Sequence, residues 1–233
     1  MISVIIPIYN QADKIIATLD GLLKQSYQDF EIIIVNDGSR DNLDGILEPY
    51  LKSLNTEISF FILHQVNKGA PAARNAGFKK SRGQYLFFCD ADAVLDYQAL
   101  EIMLANLNNH PEAAYVFSSF YWGRKIFRVG PFDDNKLKQM PYIHTMSLIR
   151  RESFPENGWD ESIKKLQDWD LWLTMLESGK RGFWINQILF KISPGGHISS
   201  WLPSFAYSLL PFLPSVQKYK NAVKIVKTKH GLL

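Results

Sequence analysis

The sequence contains very little cysteine, has a small net charge and has few long apolar runs. The only cysteine among 233 residues is Cys89, so an internal disulfide and a cysteine-rich metal site are excluded. This usage fits a reducing compartment and favours a cytoplasmic location. Lysine and arginine exceed aspartate and glutamate by three, 26 against 23, which is too small an excess to favour nucleic acid as a partner.

No segment of the sequence predicts a membrane-spanning helix. The longest stretch without charge, residues 198–217, is interrupted by Pro203, Pro211 and Pro214 and by several serines, which disfavours a spanning helix. Residues 1–7 have no basic segment and only a short apolar run. We expect them to form a first strand rather than a secretory signal.

The first hundred residues alternate between short β-branched runs and helical patterns. The runs cover residues 3–7, 31–35, 58–63 and 85–88, and apolar faces with helical spacing lie at 15–23 and 43–51. Runs that are almost continuously apolar suit parallel strands covered on both faces. The sequence therefore predicts an α/β fold with an open, mostly parallel, twisted sheet and helices on both of its faces.

The pattern changes after about residue 112. Aromatic residues interleave strand-like segments at 115–117, 120–122 and 126–127, a helix is predicted from Asp168, and another strand is predicted at 183–192. We expect one domain over residues 1–200, with halves at about 1–95 and 96–200, and a helical extension over 201–233. The extension is first apolar and then carries a valine stripe flanked by lysines. Its sequence is compatible with core packing and with a membrane-surface helix.

Polar residues follow each of the first four predicted strands. They are Tyr9-Asn10, Asn36-Asp37-Gly38-Ser39, the segment 65–69 and Asp90-Ala91-Asp92. Ligands of open α/β sheets bind beyond the carboxyl ends of the strands. We therefore expect these four groups to meet at one rim of the sheet.

Two carboxylates close together at a strand end suggest a cation site. A chain that turns off a strand at Asp90-Ala91-Asp92 can direct both carboxylates at one ion. Hard oxygen ligands suit Mg²⁺ or Mn²⁺ shared with substrate phosphates. Acidic residues are also common in loops and helix caps, so the triplet alone leaves both interpretations open.

Asp37 and Arg74 are equally ambiguous on their own. The segment around Asp37 either forms a turn in which Ser39 or Asp41 caps the next helix, or directs the Asp37 carboxylate at an N–H of a base. Arg74 is either a solvated helix residue or a guanidinium turned to the rim, where it meets phosphate oxygens or orients Asp92.

Several motifs occur in order along residues 2–196. They are Pro7-Ile8-Tyr9-Asn10, Val35-Asn36-Asp37-Gly38-Ser39, Gln65-Val66-Asn67-Lys68-Gly69, Ala73-Arg74-Asn75-Ala76-Gly77, Asp90-Ala91-Asp92, Asn157-Gly158-Trp159-Asp160-Glu161 and Asp168-Trp169-Asp170-Leu171-Trp172-Leu173. Together they resemble the family 2 glycosyltransferases with the GT-A fold. The resemblance implies inverting, metal-dependent transfer of a sugar from a nucleotide-sugar, with UDP as the expected nucleotide. It also implies a carbohydrate or lipid-linked acceptor and cell-surface polysaccharide or glycolipid synthesis. A membrane-surface helix in the extension would suit a lipid-linked acceptor and a location at the inner face of the membrane.

The same resemblance implies roles for individual residues. Pro7 and Tyr9 would border the nucleoside, and Asp37 would bond the base. Asp92 would hold the metal, and Asp168 would act as general base on the acceptor hydroxyl, with an N-cap as the alternative reading. The other residues that it places in the donor site are Asn10, Lys68, Arg74, Asp90 and Ala91.

Two positions depart from the family's pattern. Gln167 precedes Asp168 where the family often has glutamate, and without that neighbouring carboxylate Asp168 should ionise more easily. Many members also place a histidine after a basic residue further along the chain. His197 matches that position only with a shift, so we interpret it as structural.

Two other functions compete with sugar transfer. A nucleotidyltransferase is expected to carry a glycine-rich phosphate loop after the first strand, but residues 9–14 contain no glycine. A non-catalytic nucleotide-sugar-binding protein would not need both Asp92 and Asp168. The sequence therefore favours the transferase.

Overall fold

The computed structural model describes residues 1–193 and 212–233. In these ranges the strands are β1 (Ile2–Ile8), β2 (Phe30–Asn36), β3 (Ser59–His64), β4 (Tyr85–Phe88), β5 (Ala93–Leu95), β6 (Tyr115–Trp122), β7 (Lys125–Phe127), β8 (Leu148–Arg150) and β9 (Gly182–Ile192). The helices are α1 (Ile15–Leu23), α2 (Leu43–Ser53), α3 (Ala70–Lys80), α4 (Ala99–Asn109), α5 (Asp134–Gln139), α6 (Gln167–Glu177) and α7 (Pro214–Lys229).

These strands form one sheet in the order β3-β2-β1-β4-β8-β6-β9-β5, with β7 paired to β6. The neighbours among β1 to β4 are parallel. Beyond β4 the sheet is mixed, because β8 is antiparallel to β4 and β6, whereas β9 is parallel to β6 and antiparallel to β5. The predicted open α/β sheet is confirmed, and its continuous parallel part, β1 to β4, lies within residues 1–95.

The two aromatic segments at 115–117 and 120–122 are parts of a single strand, β6. Ser118 and Ser119 continue the strand between them and are buried. The register of β6 against β9 shifts at these serines. A bulge thus accommodates the break in the apolar pattern.

Two tryptophans fix helix α6 in the core. Trp169 and Trp172 are fully buried. The Trp169 indole N–H donates to the Leu137 carbonyl (2.6 Å), and the Trp172 indole N–H donates to the Ile143 carbonyl (3.1 Å). Both buried indole N–H groups are thus satisfied, and they anchor the helix whose first turn carries Asp168.

Helix α7 packs on the domain through Val226, which belongs to the buried core, and through Val223, which packs against that core. Core packing is therefore confirmed for this part of the predicted extension. No helix in the described ranges is both long and apolar enough to cross a membrane. The expected domain boundary at residue 200 and His197, which we interpret as structural, lie outside the described residues. So do most apolar residues from the first part of the predicted extension: Trp201, Leu202, Phe205, Tyr207, Leu209 and Leu210.

Candidate active site

The loops after β1 and β2 are tied together by side-chain hydrogen bonds. Asn10 has a left-handed φ of 51°, and its N–H donates to Ser39 Oγ (3.1 Å). Asp41 Oδ2 accepts from the Ala12 N–H (2.9 Å). The expected capping of α2 by Ser39 or Asp41 is therefore wrong, because both side chains bond across to the first loop. The residue before α2 is Asn42, whose side chain makes no cap bond.

Asp37 is 3% exposed, and both of its oxygens accept hydrogen bonds from the loop at residues 65–69. Oδ1 accepts from Gln65 Nε2 (2.7 Å) and from the Lys68 N–H (2.9 Å), and Oδ2 accepts from the Gly69 N–H (2.8 Å). Gly69 has a φ of 94°, which glycine adopts without a Cβ clash. Asp37 thus holds the conformation of the loop that leads into α3, a role that the sequence did not reveal. The Lys68 side chain itself is exposed.

Asp92 follows β4 with its side chain 8% exposed. Burial raises the pKa of Asp92, and repulsion from Asp90 raises it further. Its Oδ2 lies 3.9 Å from Lys14 Nζ and 3.5 Å from Gln11 Nε2, both in the loop after β1. A buried carboxylate beside a second one has the charge expected of a cation ligand.

The remaining predicted donor-site residues lie at the ends of β1 and β4. Pro7 and Tyr9 are half-buried. Ala91 is buried, and its carbonyl accepts from the Thr18 hydroxyl of α1 (2.8 Å). That bond anchors the turn between the two aspartates on a helix.

Arg74 is buried on α3, so its interpretation as a solvated helix residue is wrong. Its Nη2 lies 3.5 Å from Asp90 Oδ1, and its Nη1 donates to Gln167 Oε1 (3.1 Å). The guanidinium carbon lies 4.6 Å from the centre of the Trp159 ring. These contacts place Arg74 on Asp90 rather than on Asp92. Its Nε has no hydrogen-bond partner among the described residues.

His144 is a rim residue that the sequence analysis missed. Its Nε2 lies 3.7 Å from Asp90 Oδ2, and the side chain is 14% exposed. The ring packs against Phe120 and Phe190, with centroids 4.8 and 5.4 Å away. Burial lowers the pKa of His144 against the attraction of Asp90 and Asp168. No periodicity or motif in the surrounding segment gave a signal for it.

Asp168 is half-buried in the first turn of α6. Burial raises the pKa of its carboxyl, and attraction to His144 and Arg74 opposes the shift. Its Oδ1 accepts from the Trp169 N–H (2.9 Å). The N-cap interpretation of Asp168 is wrong, because the residue before the helix is Leu166.

Leu166 adopts the left-handed conformation, with φ 59° and ψ 36°. For a leucine this conformation costs about 1–3 kcal/mol. The strain lies two residues before Asp168. The start of α6 therefore keeps its shape only because surrounding contacts hold it.

The structure brings Arg74, Asp90, His144, Gln167 and Asp168 together at the ends of the parallel strands, with Asp92 beside them. Within the described ranges, no group of three or more His, Cys, Asp or Glu side chains can hold a metal ion. Mg²⁺ and Mn²⁺ sites that use one or two carboxylates take their other ligands from phosphate and water. The residues present fit that kind of site.

Comparison with known proteins identifies the family. The model of glycosyl transferase family 2 matches residues 3–158, well over half of the chain. The chain belongs to this family. The "Uncharacterized glycosyltransferase" of Rickettsia bellii is 30% identical over 224 residues, covering 89% of this chain and 31% of that protein. The "Putative glycosyltransferase EpsE" of Bacillus subtilis is 27% identical over 201 residues, covering 82% of this chain and 72% of that protein. This family 2 chain spans about a third of the length of the Rickettsia bellii relative.

Two solved structures share the fold of this family 2 chain. S. aureus TarS 1-349 in complex with UDP superposes with a TM-score of 0.71 at 19% identity, covering 82% of this chain and 60% of that one. Mannosyltransferase PcManGT from Pyrobaculum calidifontis in complex with GDP-Man and Mn2+ also gives 0.71, at 17% identity, covering 99% and 69%. The predicted GT-A-like fold is confirmed.

Replacing Asp37 with asparagine tests its structural role. The amide places a donor where the carboxylate accepts from Gln65, Lys68 and Gly69, so at least one buried hydrogen bond is lost. We expect the unfolding free energy to fall by about 1–3 kcal/mol, measured by urea denaturation. The exposed Asp13 provides the control as Asp13→Asn. Equal stability of the two variants would contradict the shaping role. Loss of affinity for UDP but not GDP would support base recognition as well.

Proposed function

We propose that this family 2 protein transfers a sugar from a nucleoside-diphosphate-sugar to an acceptor hydroxyl, with inversion at the anomeric carbon. The observation that carries the proposal is that Arg74 contacts both Asp90 (3.5 Å) and Gln167 (3.1 Å), the residue directly before Asp168. Asp90 lies at the end of residues 1–95, which would form the donor half, and Asp168 belongs to residues 96–200, which would form the acceptor half. A basic carboxylate thus lies beside the residues proposed to bind the diphosphate.

The donor proposed is a UDP-sugar. TarS was solved with UDP and with UDP-GlcNAc, and PcManGT with GDP-Man and Mn2+, which supports a nucleotide-sugar for the same fold. Pro7 and Tyr9 border the nucleoside in this proposal, and Asp37 bonds the base. Arg74 and Lys68 offer cationic groups to the phosphate oxygens.

Asp92 is the residue that would hold a divalent metal, Mg²⁺ or Mn²⁺. When bound, the ion would neutralise negative charge that builds on the departing nucleoside diphosphate. Gln11 and Lys14 hold the Asp92 carboxylate on one side of the rim. Arg74 holds the neighbouring Asp90 on the other.

Asp168 is the proposed general base. Because burial raises its pKa, its carboxylate is more basic than an exposed one, and Arg74 favours its ionised form. It would accept the proton of the acceptor hydroxyl as that oxygen attacks the sugar. A single base with direct displacement gives inversion, by the same logic as inverting hydrolysis.

Two nearby carboxylates are poor alternatives as the base. Asp170 lies 2.7 Å from Lys229 Nζ and 3.0 Å from His230 Nε2. Glu161 accepts from Asn75 Nδ2 (3.0 Å). Both are committed to contacts within the protein.

The competing functions are less well supported. A nucleotidyltransferase would need a phosphate-binding loop after β1, and the loop there is instead bonded to the loop after β2. A non-catalytic binding protein would gain nothing from a half-buried carboxylate of raised pKa beside an arginine.

A membrane surface is the proposed setting for the acceptor, which would be a carbohydrate or a lipid-linked molecule. Helix α7 has lysines and no acidic residue. Lys218, Lys220 and Lys224 are exposed, and Ile225 is 50% exposed. Such a face attracts anionic headgroups and contacts the acyl boundary. It supports peripheral attachment at the inner face of the membrane and a role in cell-surface polysaccharide or glycolipid synthesis.

Asp168→Asn is the direct test of the proposed function. Removing the base should lower turnover by about 10²–10⁴-fold, while donor affinity stays near that of the wild type because the residue serves the acceptor. Release of nucleoside diphosphate from a panel of nucleotide-sugars, with Mn²⁺ and acceptor, measures turnover. The exposed Glu57→Gln is the control. Full activity in a folded Asp168→Asn protein would eliminate the assignment.

Gln167→Glu tests how the environment sets the basicity of Asp168. The new carboxylate would share Arg74 with Asp90 and repel Asp168, which raises the pKa of Asp168. Since the base acts when ionised, the acidic limb of the rate profile should move to higher pH. Gln98→Glu adds the same charge at an exposed, distant position and should leave the profile in place. If the acidic limb of the pH–rate profile stays in place in Gln167→Glu, that limb does not report the ionisation of Asp168.

A further inference from the structure

Five charged side chains join the end of α7 to the acceptor half, and we call them the charged clamp: Lys229, His230, Asp160, Asp170 and Glu177. Lys229 Nζ lies 2.8 Å from Asp160 Oδ2 and 2.7 Å from Asp170 Oδ1. His230 Nε2 lies 3.0 Å from Asp170 Oδ1, and its Nδ1 lies 2.7 Å from Glu177 Oε1. Asp160 precedes α6 in the chain, whereas Asp170 and Glu177 are in it.

The charged clamp is buried only at its centre. The His230 side chain is 2% exposed and the Asp170 side chain 4%, whereas Lys229, Asp160 and Glu177 are 35%, 31% and 55% exposed. Water cannot replace the contact between His230 and Asp170 at low cost, because separating buried charges leaves them unpaired. Exposed pairs, by contrast, contribute little.

The backbone at the end of α7 holds the clamp residues in place. Gly231 has a φ of 61°, and its N–H donates to the Thr228 carbonyl (3.2 Å). The Leu232 N–H donates to the Lys227 carbonyl (2.8 Å). This pair of bonds is a Schellman motif, which ends the helix directly after His230 and fixes the direction of its side chain.

The charged clamp grips two segments that carry rim residues. Asp170 lies two residues after Asp168, and its N–H makes a helical bond to the carbonyl of the strained Leu166 (3.0 Å). Asp160 directly follows Trp159, whose ring lies against the Arg74 guanidinium. Lys229 thus bridges the segment 157–161, whose Trp159 packs against Arg74, and helix α6, which carries Asp168.

We propose that the charged clamp is a positioning device that holds the first turn of α6 against the segment 157–161 and so sets where Asp168 stands relative to Arg74. Lys229, His230 and Asp170 are its positioning residues. The clamp offsets the strain at Leu166, which needs surrounding contacts to persist. The consequence for catalysis rests on the proposed function of Asp168, but the mechanical role does not.

Protonation of His230 controls the clamp. Both ring nitrogens can donate only in the imidazolium form. The groups facing the ring are Asp170 and Glu177 of α6, with Lys229 beside it and Asp160 beyond. Burial lowers the pKa of His230, but the hydrogen bonds to Asp170 and Glu177 outweigh it, and the net shift is upward from 6.5.

The sign of the pH dependence follows from this shift. A histidine with a raised folded pKa contributes stability that is fully present below its unfolded value and is lost as pH rises through the folded value. The clamp is therefore closed in mildly acidic solution and loosens toward alkaline pH. The proposed base Asp168 becomes less firmly placed in the same direction.

Hydrogen exchange of the full chain tests the clamp without substrate. In His230→Gln and in Lys229→Met, peptides covering 157–161 and 166–173 should exchange about tenfold faster or more, since charged hydrogen bonds that hold them are lost. Lys229→Arg should restore protection. Lys220→Gln and Lys224→Gln, on the exposed face of the same helix, should change nothing. In the wild type, protection corrected for intrinsic exchange should fall as pH rises above neutrality, and this step should vanish in His230→Gln.

Two results would overturn the proposal. In one, α7 exchanges faster in His230→Gln while 166–173 does not, so that the contacts only anchor α7. In the other, the pH step persists without His230. Glu177→Gln removes the negative charge beside His230 Nδ1 and keeps an amide oxygen as acceptor, so the pH step should move to lower pH; an unmoved step would count against the proposal should the other variants fail to fold. If exchange rises as expected while turnover with the best nucleotide-sugar of the panel keeps its kcat, the mechanical role of the clamp stands and its control over the position of Asp168 is overturned; the base assignment itself is decided by Asp168→Asn.

Discussion

The buried guanidinium of Arg74 is the contact on which the rest of the site depends. It joins α3 to the end of β4 through Asp90, to α6 through Gln167, and to the segment 157–161 through Trp159. A cation removed from water is costly unless anionic and hydrogen-bonding groups surround it. These segments are therefore held at set distances from one side chain, and the two halves of the family 2 fold meet there. Asp168 takes its place in the site because α6 is one of them.

Carboxylates outnumber cations around this arginine. Asp90, Asp92 and Asp168 face Arg74 and Lys14, while burial lowers the pKa of His144. Burial raises the pKa of both Asp92 and Asp168. An excess of buried negative charge favours a divalent cation that arrives with a diphosphate.

The sequence predicted the elements that carry the site, because strand and helix periodicities are local properties and a polar residue after an apolar strand is easy to recognise. It could not predict contacts between distant segments. His144 lies where no periodicity exists. Both carboxylate oxygens of Asp37 accept hydrogen bonds from the loop at residues 65–69, although the sequence motif was equally compatible with a bound ligand. Lys229 and Asp160, 69 positions apart, pair only because α7 folds back on the acceptor half.

Calorimetric titration of UDP and GDP in the presence of Mn²⁺ or EDTA tests the central claim most directly. The claim is that the carboxylate pair at the end of β4 binds a nucleoside diphosphate through a metal. The wild type should bind one of the two nucleotides with Mn²⁺ and lose most of that affinity in EDTA. Asp92→Ala, melting near the wild-type temperature, should bind weakly in both conditions. The same gain in affinity from Mn²⁺ in Asp92→Ala as in the wild type would contradict the account.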